Sequence, residues 1–468
     1  MKPTRFAGVL AGLFLVAAHC QPTSQFSIES ISLSAEGVQL NWADQGQSQA
    51  YTVQSRDNLG EAIWLTVRAA QPWPISSPQW LDQRPLASGT RFYRILSVGA
   101  SQRGKVLGVT SVGTYSTNTI NFLLGLNGIT GQNVQYGAAL YKLDYETVDP
   151  WGGRTVASGL LVLPQTPTNA LPLVSYQHGT IASRTEAPSG GSSIEAFVGV
   201  AFAASGYVGV VPDYLGLGDS TIFHPYHHAA SEATACVDML RAARTYCATN
   251  KVSLNGQLFL CGYSQGGHAT AALQREIEAY HTNEFSITAS APMAGAYDLS
   301  GVTAADALTN ALPNPYYFAL ILSAYQQVYH LTNSLSDLLV APYSTTLPPL
   351  LDGSHDGSAI NAAMPSFITN ILQPAVLEAF EHDPSYPLRQ ALEDNDLYHW
   401  VPRAPTRLYH CGGDQDVVIA NSLVALASFH SLGAAQVTFV EPSATLDHGD
   451  CAIPSLLLAK GWFDSLKQ

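Results

Sequence analysis

Residues 258–269 read Leu258-Phe259-Leu260-Cys261-Gly262-Tyr263-Ser264-Gln265-Gly266-Gly267-His268-Ala269. An apolar strand runs into a Gly-x-Ser-x-Gly turn, and small residues then carry the chain into a helix. A strand-to-helix turn this tight tolerates almost no side chain beside its backbone, so glycines flank the serine and its hydroxyl is left exposed above the sheet edge. Ser264 is therefore the candidate nucleophile.

A serine hydroxyl is a weak nucleophile at neutral pH and needs a general base held by an acid, arranged along the chain in the order Ser, Asp or Glu, His. Arg407-Leu408-Tyr409-His410 reads as a strand, and the turn after it is Gly413-Asp414-Gln415-Asp416-Val417-Val418-Ile419. This turn resembles the GxxDxxV loop that carries the acid in many α/β-hydrolases. In that register Asp416 is the acid, with Gly413 three residues before it and the branched Ile419 three after. Asp414 stays open as the rival, and the carboxylate that is not the acid is expected to cap the loop. His448, in Leu446-Asp447-His448-Gly449-Asp450-Cys451, follows the last predicted strand and is the candidate base; His430 lies in a helix-like segment and suits the role less. A tetrahedral intermediate also needs oxyanion donors. The Gln265 N–H and, from the loop Gln177-His178-Gly179-Thr180, the Thr180 N–H are the candidates, with His178 bracing the loop.

Around these motifs strands alternate with helices. Strands are predicted at 138–145, 156–163, 173–177, 207–211, 257–261, 290–292, 407–410 and 436–440, giving a mostly parallel eight-stranded sheet with helices on both faces. A helix is predicted through Ser231-Glu232-Ala233-Thr234 to Arg244. A Pro-broken insert at about 295–403, with helical patches at 317–329 and 367–380, reads as a cap. Its runs Leu320-Ile321-Leu322, Leu338-Leu339-Val340 and Leu347-Pro348-Pro349-Leu350-Leu351 would suit an apolar acyl chain, although much of this must be cap core.

Residues 26–99 alternate with period two between frequent turns, as a small all-β sandwich does. YTVQSRDNLGEAIW and RFYRIL resemble the fibronectin type III-like modules appended to exported bacterial enzymes. Trp64, Trp73 and Trp80 could bind a surface, but tryptophans in such a module are more often core. Residues 105–468 resemble the secretory lipases and related exported α/β-hydrolases through YETVDPWGGRTVASGLLVLP, SYQHGT, VVPDYLGLGDS, GYSQGGHA, GGDQDVV and DHGD. The resemblance implies an α/β-hydrolase catalytic domain that cleaves carboxylic esters.

Lys2 and Arg5, followed by the apolar run Phe6–Ala18, form an export signal over residues 1–20. Cleavage after Ala18 and acylation of Cys20 as a degraded lipobox both stay open, which leaves the protein secreted, periplasmic or anchored at the cell surface. Five further cysteines leave at least one thiol unpaired. Cys411 and Cys451 attract attention because each is close to a candidate catalytic residue; a disulfide and buried thiols are both compatible with them. The net charge of −14 and the lack of a basic run make nucleic acid an improbable partner. His224, His227 and His228 invite a metal reading. No CxxC, HExxH or carboxylate–histidine set supports it, so loop packing is preferred and no cofactor or metal is expected.

The expectation is a serine ester hydrolase acting on a small-molecule or lipid ester. A serine peptidase or amidase, or an acyltransferase, would use the same triad, and a non-catalytic surface-binding protein is the reading of another class.

Overall fold

Gly-interrupted turns and runs of β-branched residues partition the chain into short strands first and alternating strands and helices later. The computed structural model describes residues 27–44, 49–56, 64–66, 75, 77–82, 90–99 and 102–468. Residues 1–20, expected to be an export signal and including Cys20, and Trp73 lie outside the described residues. Two compact units are distinguished: one takes in Met1–Ser101 with Trp151–Gly153, the other Gln102–Pro150 with Arg154–Gln468.

In the first unit, β1 (Ile28–Ser34), β2 (Gly37–Trp42) and β5 (Gln79–Asp82) form one antiparallel sheet; β4 (Leu65–Thr66), β3 (Gln49–Arg56) and β6 (Phe92–Gly99) form another. Period-two alternation turns Val38, Leu40 and Trp42 of β2 inward against Tyr51, Val53, Ile75 and Trp80. Trp80 is thus core, whereas Trp64 lies under the guanidinium groups of Arg56 and Arg94.

The second unit holds a nine-stranded sheet. Its strands are β7 (Val106–Tyr115), β8 (Ala138–Val148), β9 (Arg154–Pro164), β10 (Leu171–Gln177), β11 (Val208–Pro212), β12 (Leu254–Tyr263), β13 (Ile287–Met293), β14 (Thr406–Tyr409) and β15 (Val437–Val440), in the order β15-β14-β13-β12-β10-β11-β9-β8-β7. From β11 through β10, β12, β13 and β14 to β15 the pairing is parallel; β9, β8 and β7 join antiparallel. The sheet therefore exceeds the expected eight strands by β7. That strand escapes a pattern-based reading because it is an edge strand interrupted by Gly108 and Gly113, with Leu107 and Val109 exposed. Apolar clusters cover both faces of the sheet. Helix Ile194–Ala204 and the C-terminal helix His448–Leu466 contribute to one, helices Ala229–Thr249 and Gln265–Tyr280 to the other. No helix among the described residues is long and apolar enough to cross a membrane.

Between β13 and β14 stand the short helices of the cap, including Tyr316–Tyr329, Pro374–His382 and Pro387–Glu393. The predicted patch at 367–380 is split. Pro374 has no N–H to donate and starts a new helix at its first turn, after a single 3₁₀ turn at Ile368–Asn370. Leu320, Ile321, Leu322, Leu338, Leu339 and Leu347 are buried in a core that the cap shares with Ala182 and Tyr226, with Leu350 and Leu351 packed against it, so most of these runs is core.

Candidate active site

The nucleophile turn is built by exclusion. A Cβ at Gly266 would come within 1.9 Å of the Gln177 carbonyl, one at Gly262 within 2.4 Å of the Gly266 carbonyl, and one at Gly267 within 2.2 Å of the Met293 carbonyl. With those three approaches available only to glycine, Ser264 is held at φ 61°, ψ −122°, a conformation L-residues rarely adopt, at the N-cap of helix Gln265–Tyr280. Its N–H donates to the Met293 carbonyl at 3.0 Å. The turn rests at the C-terminal end of β12, where parallel sheets leave room for ligands.

His448 opens the last helix, whose N-cap Asp447 accepts the N–H of Asp450. Its Nε2 lies 2.8 Å from Ser264 Oγ and its Nδ1 2.6 Å from Asp414 Oδ2. Tyr263 donates its hydroxyl to the His448 carbonyl at 2.6 Å, which fixes the start of that helix against the strand carrying the turn.

The carboxylate on His448 is thus Asp414, and the expectation that Asp416 would fill this place is corrected. The reason is local. After β14 the chain turns at once, with Gly413 packed so closely that a Cβ would meet the Thr445 carbonyl at 2.4 Å. Asp414 therefore faces inward, two residues before the matched pattern puts the acid. Its Oδ1 accepts the N–H groups of Asp416 at 3.0 Å and Val417 at 2.9 Å, so the same carboxylate that meets His448 also caps the loop. His410 Nε2 lies 2.7 Å from the Val417 carbonyl and 3.2 Å from Asp414 Oδ2; with two acceptors in front of it, this nitrogen carries the proton. Burial raises the Asp414 pKa, but the hydrogen bonds from His410 and His448 outweigh it and hold the group at about 2. Asp416 instead takes the Asn314 side-chain amide, at 3.0 and 3.1 Å, and burial moves its pKa upward.

The loop after β10 lies against the nucleophile: a Cβ on Gly179 would stand 3.9 Å from Ser264 Cβ. The Gly179 N–H is directed to Glu195 Oε1 at 3.3 Å, and Thr180 Oγ1 is 2.6 Å from the Tyr226 hydroxyl. The backbone N–H groups of Thr180 and Gln265 donate to no other protein group among the described residues. His178 is buried, with Nδ1 2.7 Å from the Gly179 carbonyl and Nε2 3.2 Å from that of Asp213, so it braces the loop.

Three groups in this region were not recognised as partners from sequence: Asn314, contributed by the cap; His410, expected only as part of a strand; and Glu232 with His268, seen only as helix residues. Glu232 Oε2 lies 2.7 Å from His268 Nδ1, and Oε1 accepts the Gln265 side-chain amide at 3.0 Å. His268 was already visible in the glycine-serine motif, but its partner is 36 residues away in the chain. Burial lowers the pKa of His224 and His228 to about 4 and of His227 to about 3.

A disulfide joins Cys411, three residues before Asp414, to Cys451, three after His448, closing a separation of 40 residues. Cys236, Cys247 and Cys261 are buried free thiols. The bond ties the acid loop to the base loop, so removing it should affect both stability and turnover. The double variant Cys411→Ala/Cys451→Ala is expected to lose about 4 kcal/mol of stability on the chain-entropy account of a loop this long. Its kcat is expected to fall more than its KM rises. Denaturant titration and steady-state kinetics check both.

Residues 191–462 match the family model described as secretory lipase, more than half of the chain. The protein belongs to the secretory lipase family. Among solved structures, this secretory lipase is similar to a putative hydrolase of Legionella pneumophila, with 29% identity, a TM-score of 0.73, and 77% of this chain and 98% of that one covered. It is also similar to the rice cell wall degrading esterase LipA from Xanthomonas oryzae, with 30% identity, a TM-score of 0.68 and coverage of 77% and 96%. Candida antarctica lipase A shares the fold at 18% identity and a TM-score of 0.59, with 78% and 83% covered. No curated protein matches the chain. The family and these neighbours support an α/β-hydrolase that hydrolyses esters.

Proposed function

We propose that the chain is an exported carboxylic ester hydrolase working through an acyl-enzyme on Ser264. The observation that carries this reading is the unbroken line from Ser264 Oγ through His448 to Asp414, at 2.8 and 2.6 Å. His448 Nε2 takes the Ser264 proton as Oγ attacks the ester carbonyl, while Asp414 holds the Nδ1–H and stabilises the imidazolium. The Gln265 and Thr180 amides, which donate to no other protein group among the described residues, are suited to the oxyanion. His448 then returns the proton to the leaving alcohol and activates the water that releases the acid; these steps need no cofactor.

The substrate reading follows from the groups near the triad. The leucine runs of the cap are largely packed in a core, whereas the Asn314 amide and Asp416 stand beside the acid loop and the Tyr226 hydroxyl meets Thr180 Oγ1. Polar groups this close to the triad favour an ester with a short acyl chain over a long-chain triglyceride. The resemblance to an esterase of cell wall material points the same way, the apolar run at residues 6–18 supports export, and the small N-terminal sheets suit an appended fibronectin type III-like module. The test is a p-nitrophenyl ester series from acetate to palmitate. Butyrate or shorter esters are expected to exceed palmitate in kcat/KM by at least about tenfold, the discrimination a few buried methylenes can supply. A palmitate optimum overturns the short-chain reading, and no turnover of any ester overturns the hydrolase reading.

A further inference from the structure

Next to the nucleophile turn, reached through the Gln265 side chain, three elements bring buried ligand-type side chains together. His227 comes from the loop before helix Ala229–Thr249, Glu232 from its first turn, and His268 from the helix that starts at the nucleophile. One ligand atom from each lies within 4.8 Å of the others, and among the described residues this is the one group of three such side chains that converges so closely. All three are buried, with His227 at 5%, Glu232 at 1% and His268 at 0% exposure.

The hydrogen bonds state what is missing. His268 Nε2 faces the Asn395 carbonyl at 3.0 Å, so that nitrogen carries a proton and orients the ring. Its Nδ1 then confronts Glu232 Oε2 at 2.7 Å, two electron-pair donors that need a cation between them, either a proton or a metal. The second carboxylate oxygen is fixed by the Gln265 amide at 3.0 Å. Outer partners of this kind, a backbone carbonyl on the remote imidazole nitrogen and an amide on the remote carboxylate oxygen, are what orient metal ligands. A proton satisfies only this pair. It leaves His227 Nδ1 buried with no hydrogen-bond partner, on a residue held at φ 54° with its ring 4.6 Å from that of His268. An unpaired buried imidazole nitrogen is costly, and a ligand removes that cost.

We propose that His227, Glu232 and His268 bind one divalent transition cation of the zinc class. Two imidazole nitrogens and one carboxylate oxygen match the ligand preference of that class and give it three protein donors. The ion would staple the nucleophile helix to helix Ala229–Thr249 and to the loop before it. A water completes the tetrahedron at the fourth position, and the ion's role is to hold these elements together, since the hydrogen bonds of the triad use none of its three ligands. Bonds of about 2.0–2.2 Å place tetrahedral donors about 3.4 Å apart, so the His268–Glu232 contact opens while His227 closes in. From sequence no carboxylate–histidine set is visible around His224, His227 and His228, which is why loop packing is preferred there. Glu232 and His268 supply that set, separated by 36 positions and joined only by the packing of two helices.

The experiment strips the full chain with a chelator, restores zinc chloride, and measures zinc per chain by elemental analysis together with the thermal midpoint. One tightly held equivalent and a zinc-dependent rise in midpoint are expected. His227→Ala should weaken zinc binding by more than about 100-fold, beyond the loss caused by removing an outer partner, while His382→Ala, at a side chain 74% exposed, should bind as the parent does. Cobalt substitution supplies a readout that does not depend on any variant folding: an intense four-coordinate visible spectrum is expected, and a weak six-coordinate one overturns the site. Absence of stoichiometric zinc, equal affinity in His227→Ala and parent, or loss of zinc in His382→Ala also overturns it.

Discussion

Replacing Ser264 by Ala is expected to lower kcat/KM for p-nitrophenyl butyrate by at least about 10⁴-fold, because a triad acts as a unit and removing its nucleophile leaves only the oxyanion donors and binding. The fold should tolerate the change. Position 264 keeps its φ of 61° because three glycines and the Met293 carbonyl determine the turn, and none of these contacts uses the hydroxyl. Unchanged circular dichroism and a thermal midpoint within a few degrees should accompany the loss, together with loss of labelling by a fluorophosphonate. A variant that retained a tenth of the parent activity would place the chemistry on another group.

The second large effect separates two carboxylates two residues apart. Asp414→Asn is expected to reduce kcat by about 10⁴-fold, since an amide cannot hold His448 in the reactive tautomer or stabilise its imidazolium. Asp416→Asn should cost less than about tenfold, as that side chain meets Asn314 and not the imidazole. The same pair differs in acid. With its pKa depressed to about 2 from the usual 3.8, Asp414 binds protons less readily in the folded than in the unfolded chain. Its contribution to stability is therefore fully present above about pH 4 and is lost as pH falls towards 2. Parent protein should be more stable than Asp414→Asn above that window, and the gap should close within it, as denaturant titrations from pH 6 to pH 2 will read. Equal activity losses in the two variants would mean that the acid loop rearranges on binding substrate.

The loop after β14 shows how closely the legible and the illegible can lie. Its place in the chain, after a strand and before the histidine segment, is readable because strand periodicity and order are local properties. Which of its carboxylates turns inward is not, because two residues of a loop shift a side chain from one face to another. That choice is made by Gly413 against Thr445 and by the Cys411–Cys451 bond, contacts between segments more than thirty residues apart. The edge strand β7 was missed for the complementary reason: half-exposed and interrupted by glycines, it carries little hydrophobic pattern of its own and is held by pairing with β8.

The strand, turn and helix around Ser264 are legible in local sequence alone. The glycines at 262, 266 and 267 admit a turn too closely packed for any side chain at those positions, and that allowance is written within six residues. The alternation of buried strands with amphipathic helices is legible too, since burial imposes a period that composition displays. Packing between distant segments, by contrast, sets the pairing of Asp414 with His448, the burial of the cap's leucines, the reach of Asn314 to Asp416 and the meeting of Glu232 with His268. Each of these depends on the direction of a side chain across a gap between distant segments. Such directions come from the packing of whole elements, which no local pattern encodes.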